Sequence, residues 1–265
     1  MIDLHSHIIP AIDDGATDLD TSLAMLDMAA SNGTKGIVAT PHVIEGEWFP
    51  EWETILSGCA QLRQSAAAMG LPIQIYPGAE VALNMDLLHK ISGPGPYCIN
   101  EGSYMLVELP ALEIPDYTED FFFQLQTKGI IPVLAHPERN PEITKDRERL
   151  LEWLHRGSLY QLNGASLCGK QGKEIKAAAE LLLKCNMIHC IGSDAHGVNS
   201  RRPILTEAIT VVRQLSGEEM VRIISGINPE RILNGLGINR PELETIKLAL
   251  NNYTKRKWFI FGKKS

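Results

Sequence analysis

Short apolar runs alternate along the chain with stretches of helical period. Ile2, Leu4, Ile8 and Ile9 mark a first buried strand. In residues 17–31, Leu19, Leu23, Leu26 and Ala30 recur at three- and four-residue steps, which predicts a helix stopped by Asn32-Gly33. The pattern then repeats. Strands are predicted over residues 36–40, 72–77, 104–107, 130–135, 159–162 and 188–192, and helices over 51–69, 118–128, 146–156 and 173–184. Strand-then-helix order with continuously apolar strands implies a parallel sheet covered by helices. Further on, residues 204–215 and 218–225 read as amphipathic helices, and residues 228–233 begin another short one.

Where each apolar run ends, a polar residue follows: His7, His42, Glu80, Glu108, His136, Asn163 and Asp194. Their spacing, 27 to 38 residues, is about one βα unit. Seven strands that each present a polar group at the same end predict a closed α/β barrel with its site at the C-terminal face of the strands. An open doubly wound sheet binds at one crevice and leaves a polar residue on nearly every strand unexplained.

Composition narrows the class. The chain has 265 residues, 44% hydrophobic and 22% charged, as in an ordinary globular enzyme. A net charge of -7 argues against a nucleic-acid partner held by a basic surface, and requires a locally positive pocket for any anionic substrate. No secretory leader pattern or membrane-length apolar run is seen, and five irregularly spaced cysteines fit no disulfide framework, so a cytoplasmic location is expected. Residues 1–239 read as the barrel and residues 240–265 as a C-terminal helix and tail. Residues 255–264 mix basic and aromatic side chains, which suits a packed or frayed end or a peripheral membrane contact.

The chemistry begins at His5-Ser6-His7. In a strand, residues two apart share a face, so both imidazoles can grip one ion. Asp13-Asp14-Gly15 adds carboxylates on the loop that follows. Collected over all exits, the candidate ligands are His5, His7, Asp14, His42, Glu80, Glu108, His136, Asp194 and His196. This N/O set suits divalent first-row metals, and is too large for one ion, so two or three ions sharing carboxylates are expected. Such sites clamp a phosphoryl group and lower the pKa of a bound water. Arg139, and Arg201 or its neighbour Arg202, are placed to take a phosphate bidentately. His89, His155 and His189 read as ordinary, and Glu101, Glu113 and Glu138 as solvated or supporting groups. No arginine lies six residues after any cysteine, so a thiolate route to phosphate-ester hydrolysis has no loop to use.

The motifs His5-Ser6-His7, Asp13-Asp14-Gly15, Thr40-Pro41-His42, Gly78-Ala79-Glu80, Val107-Glu108, Ala135-His136-Pro137-Glu138-Arg139 and Ser193-Asp194-Ala195-His196 resemble the polymerase-and-histidinol-phosphatase (PHP) superfamily. Within it, they are similar to the bacterial capsule and exopolysaccharide tyrosine-protein phosphatases, over about residues 1 to 235. The resemblance implies a distorted (β/α)7 barrel. It implies a manganese-dependent phosphatase (Mn²⁺, with Fe, Co or Zn as other ions) acting on phosphotyrosine of a bacterial tyrosine kinase that controls polysaccharide export. It further implies that His5, His7, Glu80 and Asp194 hold one ion, Glu80, Glu108 and His136 a second, and Asp14, His42 and His196 a third, with Arg139 and Arg201 on phosphate. A small-molecule phosphatase such as histidinol phosphatase, or a PHP module without turnover, are the other readings of this ligand set.

Overall fold

The computed structural model describes residues 1–251, the side chains of residues 144 and 147 excepted. The basic and aromatic run at residues 255–264 lies outside the described residues. Among the described residues, nine strands form seven staves of a parallel α/β barrel. The first stave is β1 (Ile2–Ser6). The second is β2 (Gly36–Ala39) continued by β3 (His42–Val43), and the third is β4 (Gln74–Pro77) continued by β5 (Glu80–Ala82). Then come β6 (Tyr104–Glu108), β7 (Ile131–Ala135), β8 (Leu159–Asn163) and β9 (Cys190–Gly192).

The breaks in the second and third staves have local causes. Pro41 has no N–H to give to a ladder, and Gly78 sits so close to Val38 that a Cβ there would be 2.9 Å from Val38 Cγ1. The ladders therefore run as two groups, β1-β2-β4 and β3-β5-β6-β7-β8-β9, all parallel. The ring closes between first and last staves: His7 N–H donates to Ala195 O, and Asp194 N–H to His5 O, both at 2.8 Å. The seven-stave barrel expected from the exits, distorted as the resemblance implied, is thus present.

Helices cover the outside. The main ones are α1 (Leu19–Ser31), α2 (Trp52–Ala68), α3 (Met85–Lys90), α4 (Thr118–Thr127), α5 (Pro141–Lys145), α6 (Arg147–His155), α7 (Gly164–Leu167), α8 (Lys173–Lys184), α9 (Thr206–Arg222) and α10 (Asn228–Leu233). α1 begins at Leu19 rather than at residue 17, because Asp18 caps it by accepting from Thr21 N–H at 2.7 Å. The two helices expected around residue 217 are one element kinked at Gly217, whose φ of 84° only glycine adopts freely. Short α3, α5 and α7 carry too few turns for a readable period.

Two apolar clusters result. One packs the helices on the outer faces of the staves, and includes Ile246 and Leu250 from the helical residues 243–251. The other fills the N-terminal half of the barrel with Leu4, Val38, Leu106, Val133, Leu159 and Cys190, plugged from below by Ile99, Ile232 and Leu233. Asn228 Nδ2 donates to His189 O at 2.8 Å and Tyr104 Oη to Leu236 O at 2.8 Å, tying the plug to the staves. The C-terminal half of the interior holds polar side chains instead.

His189 shows how closed the lower end is. Its Nδ1 accepts from Tyr160 N–H at 3.1 Å, while burial, and secondarily Arg240, push its pKa down to about 3. The unfolded chain takes up this proton near the ordinary value of about 6.5, the native chain only near 3. Stability from the neutral ring is therefore fully present above pH 6.5 and is lost as pH falls towards 3, at roughly 1.4 kcal/mol per pH unit for one proton. Urea melts between pH 7 and pH 4.5 should show a steeper loss for the wild type than for His189→Asn, which keeps an acceptor but cannot be protonated there. Parallel losses would remove His189 from the acid response.

Candidate metal centre

β1 carries an extra residue. Asp3 pairs with Ile37, but Ser6 pairs with Ala39, so one residue of β1 is bulged between them. The bulge resets the alternation: Leu4 joins the barrel's lower core, yet His5 and His7 also reach the interior. Asp3 holds the bulge at the closing seam, its Oδ1 accepting from Ser193 N–H at 2.9 Å and His5 N–H at 3.2 Å. Burial pushes the Asp3 carboxyl up to about 6 against the pull of these bonds. Opposite, Gly192 lies so near His5 that a Cβ would fall 2.5 Å from His5 Cβ.

Both rings are oriented from behind. His5 Nδ1 meets Gln161 Oε1 at 3.0 Å, and His7 Nδ1 meets Asp13 Oδ2 at 2.7 Å. Each ring thereby turns Nε2 inward. Asp13 Oδ2 also accepts from His42 N–H at 3.0 Å, so one carboxylate fixes two of the candidate ligands. Such partners set tautomer and angle in metal sites.

The inward atoms converge on Glu80. Its Oε2 lies 3.1 Å from His5 Nε2, 3.2 Å from His7 Nε2 and 3.2 Å from His42 Nδ1; its Oε1 lies 3.0 Å from His136 Nε2. Glu108 stands 3.6 Å from His136 and 3.8 Å from His42. Asp194 Oδ1 is 3.6 Å from both His5 and His7 and 3.5 Å from His196, and Asp14 is 3.2 Å from His196. All nine residues singled out in the sequence thus come together. Donor atoms cluster within 4.8 Å of one another in three sets: His5, His7 and Glu80; His42, Glu80 and Glu108; and His7, Asp14, His42 and His196. The third joins His7 to the trio the resemblance implied, and the second brings His42 beside Glu80 and Glu108.

The residues fit divalent ions. Glu80 Oε2, His42 Nδ1 and His196 Nε2 are buried without a hydrogen-bond partner, which a protein tolerates rarely, and the donors are imidazole nitrogens and carboxylate oxygens. Electrostatics agree. Burial works against charge on His7, but Asp13 and Glu80 overcome it and push the ring up to about 10. Burial would raise Glu80 too, yet His5, His136 and His7 hold it well below the usual range. Glu108 is pushed up to about 8 by burial and by the Glu80 charge, and His196 down to about 3 by burial and by His7. Protons and anions are shared within a cluster that cations would satisfy by displacing protons.

Two arginines flank it. Arg139 Nη1 donates to Asp194 Oδ2 at 2.8 Å, and Arg201 Nη2 to Asp194 Oδ1 at 2.5 Å. Their side chains are 33% and 38% exposed, so neither arginine is sealed into the cluster. Between the neighbours, Arg201 is the one on Asp194, while Arg202 is exposed. His136, Asp194 and Arg201 all have positive φ (30°, 52° and 46°), strain of the kind that gathers at functional sites.

Several contributors were not among the nine candidate ligands. Asp3, Asp13, Gln161 and Asn163 act behind the ligands, Asn163 Nδ2 donating to Asp194 Oδ2 at 2.9 Å. Glu138 is no solvated group: it is fully buried, pushed up to about 7 by burial, and its Oε1 accepts from Asn163 N–H at 3.0 Å. A polar residue inside an apolar strand was the available signal for Gln161. For Asp3 the signal was the first strand's own broken alternation.

Fold and site together define the class, a PHP-type α/β barrel whose C-terminal rim carries a cluster of candidate metal-ligand residues. Residues 1–234 match the family model for capsular polysaccharide synthesis, CpsB/CapC, and the chain belongs to that family. It is 34% identical over 247 residues to the tyrosine-protein phosphatase YwqE of Bacillus subtilis, covering 93% of this chain and 97% of that one. CapC of Staphylococcus aureus is 30% identical, covering 98% and 99%. Among solved structures, one from work on YwqE of Bacillus subtilis and CpsB of Streptococcus pneumoniae, characterised there as unique metal-dependent tyrosine phosphatases, superposes with a TM-score of 0.84 at 35% identity over 91% of this chain and 97% of that one.

The buried Asp13–His7 pair yields a test. Asp13→Ala should weaken divalent-ion binding about 10–100-fold while the barrel stays folded, as read by metal titration with circular dichroism as the control. Unchanged affinity would mean that Asp13 does not organise the site.

Proposed function

We propose that this chain is a metal-dependent protein-tyrosine phosphatase that uses Mn²⁺ in the cytoplasm and acts on a phosphotyrosine protein, a bacterial tyrosine kinase of the polysaccharide-export machinery. The carrying observation is the gathering of nine candidate nitrogen and oxygen ligands, Glu80 at their centre, beside two partly exposed arginines. YwqE and CpsB, which the chain resembles over nearly its whole length, bear the tyrosine-phosphatase name. We assign the catalytic unit to residues 1–239.

In this reading, His5, His7, Glu80 and Asp194 hold one ion, Glu80, Glu108 and His136 a second, and Asp14, His42 and His196 a third. When bound, such ions neutralise phosphate charge and lower the pKa of a water. The chain's own groups do the rest. Asp13 and Gln161 hold His7 and His5 in the tautomers that offer Nε2. Arg139 and Arg201 each keep one N–H on Asp194, which holds the guanidinium planes in place, and present the others to phosphate oxygens. A tyrosyl leaving group has a pKa of about 10, so it departs with less need of a proton donor than an alkyl alcohol. That suits a site whose imidazoles are committed as ligands.

Thiolate chemistry is poorly supplied. Burial pushes Cys59 up to about 12, Cys98 up to about 11 and Cys168 up to about 11, and raises Cys190 further.

Two measurements follow. Turnover of a phosphotyrosine peptide should vanish with chelator, return with Mn²⁺ and survive iodoacetamide. Faster turnover of histidinol phosphate would move the substrate to a small molecule, and no turnover of either would leave a binding module. Separately, Arg139→Ala should lose about 10–100-fold in kcat/KM with its metals retained, as one charge-assisted phosphate contact is removed. A silent Arg139→Ala would take that residue off the phosphate.

A further inference from the structure

We infer that Trp48 is the surface on which the substrate's aromatic ring stacks, and hence the residue that sets a preference for aryl over alkyl phosphates. The inference rests on the phosphotyrosine reading above and adds a specificity residue to it.

The loop leaving β3 turns back on itself within five residues. Ile44 N–H donates to Trp48 O at 2.5 Å and Trp48 N–H to Ile44 O at 3.0 Å, and Gly46 takes the positive φ of 81° at the tip. Asn84 Nδ2 donates to Glu45 Oε2 at 2.6 Å, which pins the tip to the segment after β5. Held in this way, the indole lies on the His42 imidazole, with centroids 5.5 Å apart and planes 17° from parallel. His42 in turn stands 3.2 Å from Glu80 and 3.7 Å from Asp14, so the indole adjoins the ligand cluster itself.

Nothing in the core requires a tryptophan there. Trp52 and Trp153 are buried in the outer apolar cluster, whereas Trp48 is half-exposed and flanked by the exposed Glu45, Gly46 and Glu47. A large apolar ring is thus left bordering an otherwise polar centre, on a loop fixed by its own backbone hydrogen bonds and by Asn84. A phosphate held by Arg139 and Arg201 over the ligand cluster must carry its ester group outward to the rim. There a phenyl ring meets an indole, and an aromatic pair is worth about two- to tenfold in affinity beyond the area it buries. An alkyl ester has no ring to stack. Arg201 and Arg202 further along the chain offer charge rather than an aromatic face.

Binding separates this role from a structural one. Phenylphosphonate and methylphosphonate are not hydrolysed, and calorimetry on the Mn²⁺-loaded protein gives a Kd for each. The wild type should bind the phenyl compound more tightly. Trp48→Ala should weaken phenylphosphonate about two- to tenfold, leave methylphosphonate and metal content unchanged, and be largely restored by Trp48→Phe. If Trp48→Ala weakens both compounds equally, or loses metal, the indole only shields His42 and the inference is wrong. If neither compound changes, it is wrong as well. A wild type that binds neither and hydrolyses no phosphotyrosine overturns the functional reading and this inference with it, whereas the equal-loss results overturn Trp48 alone.

Discussion

The structure depends on a carboxylate that has too many neighbours. Glu80 is fully buried, and four imidazole nitrogens from three different strand ends lie within 3.2 Å of its two oxygens. Hydrogen bonds cannot satisfy such an arrangement: Glu80 Oε2 and His42 Nδ1 are left without partners. Burying unpaired charge and polar atoms costs several kcal/mol, so a fold that gathers them needs cations to balance the cluster. The arginines do not supply that balance at Glu80, since the N–H groups they turn into the cluster go to Asp194.

The barrel makes the gathering possible by dividing its interior. Its lower half is apolar and plugged by Ile232 and Leu233, which provides the stability that the polar upper half lacks. The division runs through single strands. In β1, Leu4 belongs to the lower core and His5 to the cluster, and the bulge held by Asp3 is what allows adjacent residues both to face inward. The breaks at Pro41 and Gly78 act similarly, because His42 and Glu80 open short upper strands that pair with each other. Each device weakens a regular ladder in order to aim a ligand.

Much of this was legible in the sequence, for a definite reason. Apolar strands of fixed direction oblige every polar residue at a strand exit to face the same end, so the exits could be collected without knowing any distance. The partners behind the ligands were less legible. Asp13 looked equivalent to Asp14, and only the fold shows that one reaches the back of His7 while the other reaches His196. Glu138 carries no mark in the sequence of being buried, since its environment is made by Asn163 on another stave. The bulge in β1 is set by pairing with β2 and β9, which periodicity along one strand does not report. Short helices such as α5 and α7 lack the length for a period to show.

The central claim is that Glu80 lies among divalent ions bound by the strand-exit residues. Anomalous diffraction from crystals of the Mn²⁺-loaded protein tests it most directly. The account predicts two or three anomalous peaks at the C-terminal rim, at least two of them within coordination distance of Glu80, with His5 and His7 on one and His136 or His42 on another. A folded protein at saturating Mn²⁺ with no anomalous density beside Glu80 would contradict it.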